Sequence, residues 1–403
     1  VVGLDIGSTK VSAVVGEVTA EGELEIIGIG SRPSKGTRKG VIVDAKSTVN
    51  AVLKAVEDAE MMAGTRINAV YVGVGGGQVE GLTTEVSMEL VTKEVTPREL
   101  QQVIDMAGSQ TPSEQYETLH VMPIDYRLDE EVGLSNPIGR MGTKLGVCAQ
   151  VITASVPAID ALLKVLDQAK LAVQGIIAQP LASARAVLTP EARDLGVVLL
   201  DIGGGTTDLV VYGAGALRHV SSLAVGGNHI THDLAVGLRT PVTESERIKK
   251  QYGRALQSLI NVDDAIEIQG LGANEIQPIP RKLIGEIIEC RVEEIFALAL
   301  HRIQQQDLYD GLSTGVVITG GAAVMPGMTE IAEAVFERPV HLGLPVQISG
   351  LTDLVNTPMY ATGVGLTLLG RDRLLEREAY HLDRHGVSAA FRRLTTWVQN
   401  FFE

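Results

Sequence analysis

The sequence predicts a duplicated α/β fold, with two structurally related lobes facing each other across a cleft. Three observations predict it. A hairpin built on Asp-x-Gly between two apolar strands occurs twice, as VVGLDIGSTKVSAVVGEV at residues 1–18 and as GVVLLDIGGGTTDLVVY at residues 196–212. Each hairpin is followed by a third strand (23–30 and 216–225) and an amphipathic helix (45–62 and 228–238). Each half then reaches a strand ending in glycines, NAVYVGVGGG at 68–77 and GVVITGGAAVMPG at 315–327. The same order of elements in both halves is much harder to obtain by chance than one glycine cluster, so the repeat is read before any local motif.

At 403 residues the chain has material for two or three compact units, and a hydrophobic fraction of 45% supports folding over disorder. A net charge of −15 argues against a nucleic-acid reader, which needs a basic stripe to displace counterions from phosphates. The two cysteines, Cys148 and Cys290, fit neither a disulfide framework nor a metal pair, which suggests a reducing compartment. No run of about twenty apolar residues is present to form a spanning helix. Val1 already lies in a strand-like run, which implies that residues precede it.

The halves differ in what they insert. Residues 78–152 separate the first glycine-ended strand from a helix at 157–170; they read as strands plus one helix that starts at Thr96-Pro97, and so as a small α+β subdomain. Residues 240–310 read as a helical insertion with an irregular Gly/Pro-containing stretch at 261–280. The resulting division is a first-lobe core at 1–77 and 153–194, rejoined by 349–370, and a second-lobe core at 195–239 and 311–348. Residues 371–386 are charged and aperiodic and read as a solvated linker, and 387–403 as a terminal amphipathic helix.

A strand that ends in Asp and enters a Gly/Ser/Thr turn exposes backbone N–H groups against which an anion can sit. Glycine matters there because a Cβ would hold phosphate oxygens away from the backbone. Two such turns can grip a polyphosphate from both sides, with Asp5 and Asp201 directed at a cation between them. Mg²⁺ keeps several waters and bridges phosphate oxygens, so two carboxylates suffice. Lys10 either neutralises phosphate charge or points to solvent. Glu246 and Lys249 lie one helical turn apart, as an exposed ion pair or as part of a site.

DIGSTKVSAVV, DIGGGTTDLVV and VVITGGAAVMPG resemble the two phosphate motifs and the adenosine motif shared by actin, heat-shock chaperones and sugar kinases, while IIAQPLASARAVL (176–188) and PMYATGVGLTLL (358–369) resemble their two connecting helices. The resemblance covers roughly residues 1–370 and implies an actin-like ATPase fold that binds ATP with Mg²⁺. It places Gly7, Ser8 and Thr9 on the phosphates from one side and Gly203, Gly204, Gly205 and Thr206 from the other. It puts Gly320, Gly321 and Ala322 along the base and α-phosphate, and Glu246 and Lys249 at the ribose and adenine. Asp201 and Gln179 are the catalytic candidates for a hydrolysis that is slow at most; Gln179 either orients the attacking water or is an ordinary polar residue at a helix start.

Actin and its bacterial shape-determining relative carry the small first-lobe insertion between the third strand and the first helix. Here that junction is only SRPSKGTRKGVIVD (31–44), and the insertion follows the glycine-ended strand instead. This displacement, the SGLTD segment at 349–353 and the terminal amphipathic helix resemble the FtsA family of bacterial cell-division proteins. The resemblance implies self-assembly into actin-like protofilaments, recruitment of other division proteins and binding of the C-terminal peptide of FtsZ. It also implies a peripheral position on the cytoplasmic face of the inner membrane at the division septum. Lys282 and Arg291, basic residues on a second-lobe helix of an acidic protein, are candidates for meeting the acidic peptide, or are ordinary solvated helix charges. PilM-type pilus adaptors share the displaced insertion and form an alternative. A small-molecule kinase of the same fold is a further one, but no catalytic base beside an acceptor pocket is evident.

The scarce aromatics concentrate at the C-terminus. At 100° per residue, Val387, Phe391, Leu394, Val398, Phe401 and Phe402 share one narrow face that Trp397 widens, with Arg392 and Arg393 opposite. Burial of these side chains in a membrane surface is worth at most on the order of 10 kcal/mol before the helix is ordered, and each Arg adds roughly 1 kcal/mol near anionic lipid. Trp and Phe opposite Arg is the composition of an interfacial helix, the alternative being a helix packed on its own domain.

Overall fold

The hairpin pattern becomes β1 (Val2–Ile6), β2 (Lys10–Val18) and β3 (Leu24–Pro33), an antiparallel meander in which Asp5 pairs with Ser12. The computed structural model describes residues 1–111, 113–261, 263–270 and 276–382, with side chains described up to residue 377. A short ribbon, β4 (Thr37–Arg38) and β5 (Val41–Ile42), leads into α1 (Ala45–Ala63). Asp44 caps α1 by accepting from the Ser47 N–H at 3.1 Å, and Gly64 ends it at φ 67°, a left-handed conformation that suits glycine. β6 (Ala69–Val74) then returns parallel to β1.

The inserted subdomain follows as β7 (Val79–Glu89), α2 (Pro97–Gly108), β8 (Tyr116–Leu128), β9 (Glu131–Leu134) and β10 (Lys144–Ser155). Its antiparallel sheet, ordered β7-β10-β8-β9, buries Val147, Ala149 and Val151 against Leu100, Val103 and Ile104 of α2. Thr96 and Glu99 form a capping box at the start of α2, with Pro97 in the first turn. The chain re-enters the first lobe through α3 (Val156–Gln168), β11 (Ala172–Ala178), α4 (Gln179–Val187) and α5 (Pro190–Leu195). The connecting helix expected over 176–188 thus starts only at Gln179, because Ile176 to Ala178 pair in parallel with Val72 to Val74 of β6.

The second half repeats the plan with β12 (Val197–Ile202), β13 (Thr207–Gly213), β14 (Ala216–Leu223) and α6 (Gly227–Gly237). α7 (Val242–Tyr252), β15 (Ala265–Gln269), β16 (Ile276–Pro280) and α8 (Arg281–Gln304) form its insertion. The stretch at 261–280, expected to be irregular, therefore holds a two-stranded hairpin, in which Ile266 faces Ile279 across the ladder. β17 (Gly315–Thr319), α9 (Met328–Phe336) and β18 (Val340–Leu342) complete a sheet ordered β14-β13-β12-β17-β18. β19 (Ser349–Gly350) returns to β3 and closes the first sheet as β11-β6-β1-β2-β3-β19, and α10 (Thr352–Val355) and α11 (Ala361–Leu382) follow. Each lobe has its own apolar core, around Leu4, Val14 and Val72 in the first and Leu200, Leu209 and Ile318 in the second.

Two helices join the lobes, and small residues let them touch: a Cβ on Gly365 of α11 would collide with the Ala182 carbonyl of α4. The segment from residue 371, expected to be a solvated linker, is helical to Leu382 instead. The reason is a buried charge. Arg185 of α4 donates through Nε to Asp372 at 3.0 Å and also bonds Gln347, while Arg373 lies over the Tyr71 ring, so the charged run is drawn along the first lobe. Among the described residues no helix is long and apolar enough to cross a membrane. Phe391, Leu394, Trp397, Val398, Phe401 and Phe402 of the expected terminal helix lie outside the described residues.

Removing one partner of a buried ion pair costs more than the pair contributes, because the other charge stays buried. Asp372→Ala, which strands Arg185, is expected to lower stability by about 3 kcal/mol, whereas an Arg185→Met, Asp372→Leu double variant loses much less. Melting temperatures by circular dichroism decide the matter; an Asp372→Ala protein that melts with the parent would show that the pair holds nothing.

Candidate functional site

The two hairpin turns meet tip to tip between the lobes. In each, the first glycine closes the turn with the same bond, Gly7 N–H to the Lys10 carbonyl and Gly203 N–H to the Thr206 carbonyl, both at 2.9 Å. The N–H groups of Ser8, Thr9, Gly204 and Gly205 make no hydrogen bond among the described residues. A Cβ on Gly204 would collide with Thr9 Oγ1, and one on Gly205 would come within 2.8 Å of Ser8 Oγ. The tips thus touch in this conformation, and an anion gripped from both sides requires them to part.

Carboxylates crowd behind the turns. Asp201 accepts from the hydroxyls of Ser183 in the middle of α4 and, at 3.1 Å, of Thr362 at the start of α11, so both connecting helices contact it. Asp5 accepts from Gln179 Nε2 at 2.9 Å and stands 3.6 Å from Lys10 Nζ. Gln179, the first residue of α4, is wedged against Gly73 and Gly75 and faces the cleft. Lys10 points inward, with Nζ 3.1 Å from Ser12 Oγ and 4.6 Å from the centre of the Tyr360 ring.

Burial raises the pKa of Asp5, opposed by Lys10, and burial likewise raises that of Asp201. Lys10 is pulled down by its own burial, against the attraction of Asp5 and Asp201. A third carboxylate, which sequence reasoning passed over, completes the cluster. Asp208 lies directly across the ladder from Asp201, where the first hairpin has Ser12 across from Asp5. It is buried, its Oδ1 has no hydrogen-bond partner, and burial followed by repulsion from Asp201 pushes it up to about 7. The available signal was the second Asp of DIGGGTTD, whose cross-strand position follows from the hairpin register. Ser183, Thr362 and Tyr360 were equally hidden, because only the crossing of distant helices brings them here.

Three acids and one ammonium leave negative charge to be met by a cation. Among the described residues no group of three His, Cys, Asp or Glu side chains is close enough to cage a metal unaided. Mg²⁺ does not need a cage, since it keeps waters and shares phosphate oxygens, and the unpaired Asp208 oxygen suits such a water. The donor set therefore fits a hydrated hard cation.

The remaining predicted residues gather on the second-lobe side. Lys249 Nζ contacts Glu246 at 2.6 Å, the Gly227 carbonyl at 3.0 Å and Thr231 Oγ1 at 2.7 Å. With a side chain only 12% exposed, Lys249 is no ordinary surface partner; it braces the start of α6. There the Gly227 and Asn228 N–H groups bond the Gly203 and Gly204 carbonyls, which fixes the second turn to a helix N-terminus. Ala322 packs on Gly227 and donates to the Ile202 carbonyl at 3.0 Å. A Cβ on Gly320 would collide with Asp201, and Gly321 lies beside Met359.

Lys282 and Arg291 stand apart from this cluster, on α8. Lys282 is exposed, but Arg291 is held by two bonds to Asp233 of α6, at 2.5 and 3.0 Å, and by Glu294.

The family model described as "Cell division protein FtsA" matches residues 198–365, and the one described as "SHS2 domain inserted in FTSA" matches residues 76–153, the inserted subdomain. The cell division protein FtsA of Pseudomonas aeruginosa is 37% identical over 408 residues, covering 100% of this chain and 98% of the relative. That of Escherichia coli (strain K12) is 36% identical over 412 residues, covering 100% and 98%. Among solved structures, the PilM-PilN type IV pilus biogenesis complex superposes with a TM-score of 0.65 at 16% identity, covering 92% of this chain and 98% of that one. MreB 5 of Spiroplasma citri bound to AMPPNP superposes with a TM-score of 0.56 at 15% identity, covering 94% and 98%. The structural likenesses show an actin-like fold and no more, whereas the sequence likeness runs the length of the chain and separates the division proteins from the pilus adaptors: the chain belongs to the FtsA family of cell division proteins.

Proposed function

We propose that this chain binds ATP with Mg²⁺ in the cleft and, so loaded, assembles into actin-like filaments that hold FtsZ at the membrane and recruit other division proteins. The observation that carries the reading is the pairing of two matched turns, each with N–H groups unbonded among the described residues, over a cluster of three carboxylates of which Asp5 and Asp208 are buried. The AMPPNP held by the MreB 5 relative of the fold supports it. Gly7, Ser8, Thr9 and Lys10 would hold the phosphates from one lobe, and Gly203, Gly204, Gly205 and Thr206 from the other. Gly320, Gly321 and Ala322 would line the base, with Lys249 and Glu246 towards the ribose. The cation would neutralise polyphosphate charge, its waters taken by Asp5, Asp201 and Asp208. Gln179, held on Asp5, would orient a water, and with Asp201 would support slow hydrolysis at most.

In this reading the two connecting helices report the state of the cleft, because Ser183 and Thr362 both hold Asp201. Residues 387–403 would lie in the cytoplasmic face of the inner membrane at the septum, with their apolar face inward and Arg392 and Arg393 towards anionic headgroups. An acidic C-terminal peptide of FtsZ would meet the second-lobe insertion at Lys282, while Arg291 would first have to exchange Asp233 for the peptide.

Three outcomes are expected. Calorimetry should show Mg·ATP binding weakened roughly 30-fold or more, about 2 kcal/mol, in Asp201→Ala, since the cation then loses one of the two second-lobe carboxylates that would hold its waters; parental affinity in that variant would remove the cleft assignment. For Asp208, the raised folded pKa means that the folded chain binds more protons than the unfolded one between the ordinary value of 3.8 and about 7. Its contribution is therefore fully present below 3.8 and lost as pH rises through about 7. Asp208→Asn should melt roughly 2–4 °C above the parent at pH 8 without ligand, with the gap closing towards pH 5; a gap that widens on acidification contradicts the raised pKa. Finally, a Trp397→Glu, Phe401→Glu variant should stay in the supernatant when anionic phosphatidylglycerol vesicles are pelleted, yet keep its ATP affinity. If it still sediments with lipid, the anchor lies elsewhere.

A further inference from the structure

We propose that His120 is a positioning residue that couples the inserted subdomain to the cleft, by holding the backbone of Ala178 from which Gln179 reaches Asp5. The inference rests on the nucleotide reading of the cleft and concerns how that site is regulated.

β11 is an edge strand of the first sheet, so its outward N–H groups have no neighbouring strand to bond. At its last residue, Ala178, the N–H is taken by His120 Nε2 of β8, at 3.1 Å and out of contact with water. Burial, with Arg373 nearby, brings the pKa of His120 down to about 3, so the ring is neutral near pH 7; with Nε2 accepting, its proton sits on Nδ1. Ala178 is the N-cap of α4, and the next residue, Gln179, donates to Asp5 at 2.9 Å. Two bonds thus lead from the inserted subdomain to a cleft carboxylate.

The other end of the same subdomain rests on the second lobe. Gly81 of β7 lies so close to β14 that a Cβ would come within 2.8 Å of the Val220 carbonyl. Gln150 of β10, in the orientation that satisfies both ends of its amide, donates to the Arg218 carbonyl of β14 at 3.0 Å and accepts from the Leu82 N–H at 3.2 Å. β14 is the edge strand of the second sheet. The subdomain therefore bridges the outer edges of both sheets, and any change in lobe separation must load or release one of its two footings. Since linkage is reciprocal, nucleotide affinity and the seating of the subdomain then depend on each other.

The test uses the full chain, Mg·ATP calorimetry and amide hydrogen exchange with and without Mg·ATP. The parent is expected to change exchange in β8 and β10 when nucleotide binds. His120→Met, which offers no comparable acceptor, should bind ATP on the order of fivefold more weakly and lose that exchange response. His120→Gln, whose side-chain carbonyl can reach the same N–H, should keep both, which a purely packing role would not produce. Should His120→Met fail to fold, Gly81→Ala at the far footing is expected to abolish the exchange response by itself. Parental affinity with a parental exchange response in His120→Met, or in its stead an unaltered response in Gly81→Ala, overturns the coupling while leaving ATP binding in place. A parent that binds no ATP overturns the nucleotide reading and this inference with it.

Discussion

The crowding of Asp5, Asp201 and Asp208 behind two touching turns is the constraint on which the rest of the structure depends. Like charges placed directly opposite in a ladder destabilise it, and Asp201 faces Asp208 in that way. Burial adds to the cost, and the Lys10 ammonium together with hydrogen bonds from Gln179, Ser183 and Thr362 offsets part of it. Such an arrangement is poor for stability and suited to holding a cation and an anion together. The surrounding elements make sense as its supports: two helices bring hydroxyls to Asp201, a third presents its N-terminus to the second turn, and Gln179 ties Asp5 to α4.

The lobes are duplicated, but their contents are not equivalent. The first hairpin carries Lys10 and Ser12 where the second carries Thr206 and Asp208, so one side brings a positive charge and the other an extra negative one. A symmetric site would repel itself or its ligand. The asymmetry also shows in what each half inserts: a sheet that touches both lobes in the first, and helices with one hairpin in the second.

The fold was legible because its punctuation is local. Asp-x-Gly turns, glycine-ended strands and apolar runs are each specified within a few residues, and their repetition identified the plan. What stayed hidden depends on distant chain segments. Nothing near Ser183 or Thr362 marks them as partners of Asp201, because α4 and α11 are far apart in the chain and only the tertiary fold brings both to it. The charged run after residue 370 read as solvated because its composition is polar, and only the buried Arg185 explains why Asp372 is drawn inward. Arg291 illustrates the same limit in reverse: its charge was visible, but its engagement by Asp233 of another helix was not. At 261–280 the Gly and Pro residues obscured the cross-strand pair of Ile266 and Ile279 that the hairpin uses.

The net charge constrains how such a chain can reach a membrane. At −15 the molecule as a whole is repelled by an anionic surface, so long-range electrostatics cannot bring about its docking. That repulsion is screened over about 8 Å at physiological ionic strength, so a body held a few such lengths from the lipid feels little of it. The proposed membrane binding would then come from short-range burial of apolar side chains, assisted by a few cations placed locally. The C-terminal sequence has this composition, with Trp397 and the phenylalanines supplying apolar area and Arg392 and Arg393 the local charge. The two arginines alone, at roughly 1 kcal/mol each, would leave the protein mostly free. If residues 387–403 act as one interfacial segment, as proposed, they would give reversible attachment, and firm attachment would then require many copies in one array. In the proposed function, membrane affinity and self-assembly would therefore belong to one mechanism, in which the cleft would govern both by governing assembly.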